Sequence, residues 1–321
     1  MELPPRLRQA VDSALEGAPL AQLIAAADAL SQRYRNEVRD GRLHLNDDRS
    51  ALAYLATRMP ATYAAIHASI TATAEALPDF APATLLDIGA GPGTALWAAQ
   101  ACWPTLQDAE LIETSPAIRA WGEKLSASLS LSRIAWHAAD LRTELGGKPR
   151  DLVTLAYVLD ELAAKDRDTL VDDLWKLTSG VLLIVEPGTP KGWERILAAR
   201  TRLIDAGANI AAPCPHHAAC PLIAPDWCHF SARVARSRIH RLAKNAEVPW
   251  EDEKYIYLAA SRVAPTSRPA RILAPPEPGS GRVRLKLCNS DGSATNRLVT
   301  RREGDAYKRA RRSDWGDSFE G

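Results

Sequence analysis

The chain has 321 residues, 46% of them hydrophobic and 25% charged, and a formal net charge of +1 at pH 7. These are the proportions of an ordinary globular protein with room for one main core and appended pieces. They carry no overall basic excess of the kind that marks many phosphate-binding proteins, and no run of about 18 apolar residues is present that could span a membrane.

The N-terminus, Met1-Glu2-Leu3-Pro4-Pro5, lacks a basic segment feeding an apolar one, so a cytoplasmic rather than secreted protein is expected. In a reducing compartment the five cysteines are not to be read as disulfides. Residues 1–80 form an N-terminal helical region: 19–38 is rich in Ala and Leu, and 47–77 continues with apolar residues at helical spacing. The expected role is a cap on the next domain. Arg33, Tyr34, Arg35, Arg39 and Arg42 form a basic cluster, read as a solvated helix face.

From about residue 84 short apolar runs alternate with longer helical segments, which is how a parallel sheet with crossover helices is written in sequence. The runs are 84–88, 109–113, 133–137, 151–158 and 180–186, with helices expected between them. Ser115 is a suitable N-cap, and Pro116 suits the first helical position because its missing N–H is not needed there. A helix is expected from 193 to about 206. The stretch 213–230, rich in Pro and Cys, is too irregular for a sheet element, and 255–263 reads as a late strand. Pro265, Pro269, Pro275, Pro276 and Pro278 mark 265–281 as a linker. Beyond it Val283, Leu285 and Leu287 alternate with Arg284 and Lys286, and a turn at 289–292 precedes 297–302, so a small β element is expected. The domains predicted are 1–80 helical, 81–212 Rossmann-like, 213–264 a cysteine-rich insertion with the last sheet strands, and 265–321 a basic β extension.

The first run ends in Leu85-Leu86-Asp87-Ile88-Gly89-Ala90-Gly91-Pro92-Gly93-Thr94 and leads into an apolar helix at 95–101. Glycines are needed where the backbone turns sharply and a ligand must approach atoms that a Cβ would cover. A dinucleotide fingerprint spaces its glycines G-x-G-x-x-G, whereas here they run G-x-G-x-G with an acid two residues before the first. That pattern resembles the methyltransferases that use S-adenosylmethionine (SAM). The resemblance implies that Asp87 lies beside the amino-acid end of the cofactor and that Gly89, Gly91 and Gly93 line the loop. It further implies that Glu113 holds the ribose hydroxyls and Asp140 faces the adenine. After the fourth run, where many nitrogen-methylating enzymes carry Asn/Asp-Pro-Pro-aromatic, this chain has Tyr157-Val158-Leu159-Asp160-Glu161-Leu162. Asp160 and Glu161 are the candidate catalytic residues; they suit a base or substrate-orienting role, and equally the capping of a following helix.

Cys214, Cys220 and Cys228 fall within fifteen residues, Cys288 lies downstream, and Cys102 stands apart as a small apolar residue of the first Rossmann helix. Gaps of five and seven residues match neither the tight pairs of common zinc modules nor a radical-SAM loop. Four thiolates satisfy either a tetrahedral zinc or a cubane cluster, and His216, His217 and His229 keep a mixed zinc site open.

The SAM loop, 158–162, Val185-Glu186-Pro187-Gly188, the Cys-Pro-His-x-x-x-Cys-Pro-Leu segment and Trp227-Cys228-His229-Phe230 together resemble the mitochondrial ribosomal small subunit protein 22 family. That family comprises methyltransferase-like proteins of small-subunit ribosome assembly, with bacterial relatives, and the likeness covers roughly residues 30 to 315. It implies an α/β fold with a SAM-methyltransferase Rossmann-like domain, an N-terminal helical cap and a C-terminal iron–sulfur and small β extension. It also implies that Cys214, Cys220, Cys228 and Cys288 ligate a 4Fe-4S cluster, which would tie the irregular loop to the C-terminal β element.

Between Arg262 and Arg312 there are thirteen Lys or Arg against four Asp or Glu, a local basic surface hidden by the whole-chain total. Such a surface attracts phosphate backbones without reading bases. The expected partner is small-subunit ribosomal RNA or the assembling subunit, and the protein is expected to be a monomer. The chain thus reads as a methyltransferase-class protein that methylates or helps assemble that subunit; the alternative is a non-catalytic assembly factor or RNA-binding module with a vestigial SAM pocket. A small-molecule methyltransferase fits the basic extension less well.

Overall fold

A computed structural model describes residues 1–36, 44–139 and 147–321. Four helices come first: α1 (Pro5–Leu15), α2 (Leu20–Arg35), α3 (Asp48–Thr57) and α4 (Met59–Ala76). The expected helix over 47–77 is two helices, broken at Arg58, two residues ahead of Pro60, which supplies no N–H to continue the hydrogen bonding of α3 and suits the first turn of α4. Asp47 starts α3 with a reciprocal cap: its carboxylate accepts the Ser50 N–H at 2.8 Å while Ser50 Oγ accepts the Asp47 N–H at 3.2 Å.

The middle of the chain alternates strands and helices: β1 (Thr84–Ile88), α5 (Thr94–Cys102), β2 (Asp108–Ile112), α6 (Pro116–Ser126), β3 (Arg133–His137), β4 (Arg150–Ala156), α7 (Ala164–Lys176), β5 (Thr178–Pro187) and α8 (Pro190–Asp205). There follow β6 (Asn209–Ala212), β7 (Phe230–Ala235), α9 (Arg238–Ala243) and β8 (Trp250–Ser261). Among the described residues these strands make an eight-stranded sheet ordered β3-β2-β1-β4-β5-β8-β6, with β7 also paired to β8. β1 to β5 are parallel, while β8 inserts antiparallel between β5 and β6. The central strands β1, β4 and β5 are covered on both faces, hence their continuous apolar runs. The order reverses between β1 and β4, which opens a crevice above the carboxyl ends of those strands.

The C-terminal part is a second sheet with its own small core of Ile272, Val283, Leu285, Leu287, Val299 and Phe319. It contains β9 (Ala270–Ile272), β10 (Glu277–Gly279), β11 (Arg282–Cys288), β12 (Ala294–Thr300) and β13 (Ser318–Phe319), with α10 (Asp305–Ala310) between the last two. The 265–281 linker expectation is therefore corrected: despite its prolines the segment supplies β9 and β10. Pro278 is tolerated because β10 is an edge strand, paired only to β11. The stretch from 213 is irregular, as expected, until Phe230 opens β7.

Two side-chain readings also change. Ser115 stands at the N-cap of α6, but its hydroxyl donates to the Leu45 carbonyl instead of capping, so it fastens the helical cap to the sheet. Tyr34 does not lie on a solvated face: it is packed against the core with its ring stacked on His44 at 5.1 Å. Arg39 and Arg42 lie outside the described residues.

Candidate functional site: a glycine-lined cavity and a four-thiol cavity

The turn after β1 is left-handed at Gly89, Gly91 and Gly93, with φ of +65°, +54° and +78°. A methyl group on Gly89 would lie 2.5 Å from Val158 Cγ2, so the loop closes on the segment after β4 only because residue 89 has no side chain. Glu113, one residue past β2, faces the loop. Its Oε2 accepts the Gly91 N–H at 2.8 Å and its Oε1 accepts the Ser115 N–H at 2.7 Å. Each oxygen keeps a lone pair for a ligand hydroxyl.

Above these residues is a cavity of about 710 Å³, lined by Gly89, Gly91, Glu113, Tyr157, Asp160 and Glu161 on the sheet side and by Tyr34, His44, Tyr54 and Arg58 from the helical cap. A volume of that order is within the range of sites that enclose nucleotide-sized ligands. The structure therefore brings Gly89, Gly91, Glu113, Asp160 and Glu161 to one space. Asp87 and Gly93 sit beneath it: Asp87 is 2% exposed, takes the Thr154 hydroxyl on Oδ1 at 2.7 Å, and keeps Oδ2 buried without a hydrogen-bond partner. Gly93 packs under Trp136 and Leu111. Asp140 lies outside the described residues.

The acids of the cavity are held in an apolar setting. Burial raises the Asp87 carboxyl to about 7, and burial reinforced by the neighbouring Asp160 raises Glu161 to about 8. Glu186, at the end of β5, is likewise raised to about 8 by burial and by Asp160, against the opposing pull of Arg195. It is fully buried, accepts the Leu159 N–H at 3.0 Å and pairs with Arg195 at 2.7 Å. Sequence reasoning used Glu186 only as part of a likeness; that it ties down the segment bearing Asp160 and Glu161 was not legible. Tyr157 is left-handed at φ +59°, rare for a side chain of its size, and its hydroxyl donates to Glu253 at 3.0 Å, beside Arg58. Tyr34, Tyr54, Arg58, Tyr157 and Glu253 were missed as a group, since their partners lie far apart in the chain.

A second cavity, of about 30 Å³, lies where the two sheets meet, and Cys214, Cys220, Cys228 and Cys288 all line it. Cys214 and Cys220 come from the loop after β6, Cys228 from just before β7 and Cys288 from the end of β11. Leu222, Leu273 and Cys288 form a small apolar cluster here, with Cys220, Cys228 and Trp193 against it. Burial pushes the thiols of Cys214, Cys228 and Cys288 up, Cys288 to about 12, and each is further raised by neighbouring cysteines. A thiophilic metal group binding here would displace the thiol protons, since thiolates are its ligands. Among the described residues no three His, Cys, Asp or Glu are arranged to hold one metal ion. The four sulfurs nonetheless line one shared cavity. Cys102, half-buried at the end of α5, takes no part.

The C-terminal sheet presents a basic face. Arg282, Arg284 and Lys286 stand at alternate positions of β11, opposite Thr300, Leu298 and Asn296 of β12. Arg282 and Arg284 are exposed; Arg301, Arg302, Lys308, Arg309, Arg311 and Arg312 are exposed too, on the segment whose Ala310 packs into the apolar core on the other side of β11.

Strand order, glycine turn and the acid after β2 define a methyltransferase-like α/β protein with a SAM-type Rossmann fold. Among solved structures, an O-methyltransferase family protein from Burkholderia thailandensis overlaps 77% of this chain and 73% of its own at 14% identity and a TM-score of 0.47; the fold reading rests on the topology and not on that overlap. The chain belongs to the family described as "Mitochondrial small ribosomal subunit Rsm22", whose profile matches residues 48–320. It is 30% identical over 286 residues to human "Ribosome assembly protein METTL17, mitochondrial", covering 83% of this chain and 62% of that protein. It is 26% identical over 325 residues to the Schizosaccharomyces pombe "Rsm22-cox11 tandem protein 2, mitochondrial", covering 85% of this chain and 43% of that one. The chain thus spans less than two thirds of the length of these relatives. The family is one linked to assembly of the small ribosomal subunit.

Proposed function

We propose that this protein binds SAM in the glycine-lined cavity, holds a 4Fe-4S cluster on its four clustered cysteines, and acts on the RNA of the small ribosomal subunit during assembly. The observation that carries the first part is Glu113: it braces the Gly91 and Ser115 N–H groups while facing the cavity, as a residue receiving a ribose would. Asp87 and Asp140 would serve the ends of the same ligand. Bound SAM supplies an electrophilic methyl group; Asp160 and Glu161 would orient or deprotonate the accepting atom. The raised Glu161 carboxyl favours such a role, since a base works best with its pKa near the working pH.

The cluster reading is supported by the shared cavity and by the thiols' mutual crowding. RNA contact is supported by the basic face of the second sheet. Cysteines grouped for a metal rather than for disulfides suit a reducing compartment, and we place the protein in the cytoplasm. No helix among the described residues is long and apolar enough to cross a membrane.

One observation favours the second reading, an assembly factor that binds SAM without transferring its methyl group. The segment after β4 lacks the Asn/Asp-Pro-Pro-aromatic pattern, and Glu186 locks its backbone to the fold. Incubating the protein with SAM carrying a radioactive methyl group and with small-subunit RNA separates the two. Label in RNA that disappears in Asp160→Ala supports the enzyme; SAM binding with no label in RNA or immature subunits leaves the assembly factor. Zinc at one ion per chain in colourless anaerobic protein would remove the cluster.

A further inference from the structure

Two cations share the four-thiol cavity. Arg200, on α8, and Arg271, on β9, both line it, and they are 3% and 6% exposed. Arg200 Nη2 donates to the carbonyls of His216 at 2.7 Å and Ala218 at 2.9 Å. Arg271 donates from Nε to Pro213 O at 3.2 Å and from Nη1 to Gly316 O at 2.8 Å. All four acceptors are neutral, and among the described residues neither guanidinium pairs with a carboxylate. The Arg200 Nε–H is buried with no acceptor.

A buried cation without a counter-ion costs several kcal/mol, and an orphaned donor adds to that cost. Placing two such cations in one apolar cavity is therefore stable only if something else there is negative. The acidic groups lining the cavity are the four thiols and the Tyr257 phenol, and burial pushes that phenol up to about 12, which leaves the thiols as the groups a metal could make anionic. Three of the four carbonyls that fix the guanidinium groups, those of residues 213, 216 and 218, belong to the loop that carries Cys214 and Cys220, and the fourth, of Gly316, lies just before β13.

We propose that Arg200 and Arg271 are charge-balancing positioning residues for an anionic metal–thiolate group in this cavity, with Arg200 donating its otherwise unused Nε–H to the sulfur side of that group. Four thiolates on a 4Fe-4S core in its usual oxidised state carry a net charge of two minus, which the two arginines offset. One-electron reduction adds a third negative charge, and nearby cations favour that state, so the pair holds the reduction potential up. This rests on the cluster reading of the cysteines, and fails separately from it.

The test is a mediated dithionite titration of the full chain, purified without oxygen, followed by electron paramagnetic resonance alongside iron and sulfide analysis. Arg200→Gln removes the charge and Arg200→Lys keeps it, with Arg271→Gln and Arg271→Lys as the parallel pair. The expected result is normal or lowered iron in the Gln variants and a midpoint lowered by about 59 mV, a tenfold change in the reduced-to-oxidised ratio at fixed potential. The Lys variants should stay near wild type. If a Gln variant loses iron altogether while its Lys partner retains it, the charge role also stands. Unchanged midpoints in the Gln variants would overturn the proposal, as would equal losses in Gln and Lys, which would mean that the carbonyl anchoring alone matters. Wild-type protein with no iron would remove the cluster reading first, and this inference with it.

Discussion

Glu186 and Arg195 form an ion pair at 2.7 Å with side chains 0% and 4% exposed, and the second carboxylate oxygen of Glu186 takes the Leu159 N–H at 3.0 Å. One buried acid thus joins β5, α8 and the turn that carries Asp160. Removing one member of a buried pair leaves the other charge uncompensated, at a cost of about 3–5 kcal/mol. Arg195→Leu should lose stability of that order in urea unfolding. Glu186→Gln preserves an acceptor for Leu159 but removes the carboxylate that pairs with Arg195, so it too should destabilise, and the double variant Glu186→Gln/Arg195→Leu should be more stable than Arg195→Leu.

Gly122, inside α6, decides between two opposing effects. In an open helix Gly→Ala stabilises by about 1 kcal/mol. Here the added methyl would lie 2.2 Å from Trp136 Cη2 and within 2.9 Å of two more ring carbons, on a ring whose Nε1 donates to Ser126 at 3.2 Å. Overpacking costs about 1–3 kcal/mol, so the clash wins. Gly122→Ala should lower the melting temperature, whereas Gly207→Ala would report backbone strain alone, as its φ is +82° with open space around it.

Asp87 gives the protein a distinct pH dependence. Its folded carboxyl, raised to about 7 mainly by burial, sits above the ordinary value of about 3.9. A group shifted in this direction contributes stability that is fully present below the ordinary value and is lost as pH rises through 7. Melting curves between pH 4 and 8 should therefore show a component that declines across this window in the wild type and is absent in Asp87→Asn. A wild-type profile that the substitution leaves unaltered would mean that Asp87 is charged in the fold.

Gly89 should be intolerant for two separable reasons. Its φ of +65° strains any side chain, and a methyl there meets Val158 Cγ2 at 2.5 Å. Gly89→Ala should weaken binding of S-adenosylhomocysteine at least tenfold in calorimetry. Pairing it with Val158→Ala should recover part of the loss by relieving the clash and leave the part due to backbone strain.

Local signals were well written in the sequence and long-range ones were not. Residues 84–88 and 133–137 were read with their observed bounds because each is an apolar run closed by a turn or a polar break. β9, β10 and β13 went unread, being two or three residues long and set among prolines or at the chain's end, with no period to detect. β8 was recognised as a strand, but its antiparallel place between β5 and β6 comes from pairing across 68 to 80 residues with the one and 47 to 52 with the other, which no local pattern encodes. Of the site, the glycines, Glu113 and the four cysteines were legible because their chemistry depends on residue type and spacing. Tyr34 was misread: Arg33 and Arg35 beside it look solvent-facing, and only the stacking on His44 under the cap turns its ring inward.

The central claim is that the space between the helical cap and the glycine turn is a SAM site built around Glu113. Calorimetric titration of the anaerobically purified protein with S-adenosylhomocysteine tests it most directly, with Glu113→Ala beside the wild type. One ligand per chain, with affinity reduced at least tenfold in the variant, is the predicted result. No heat of binding in folded wild-type protein, or equal binding by both proteins, would contradict it.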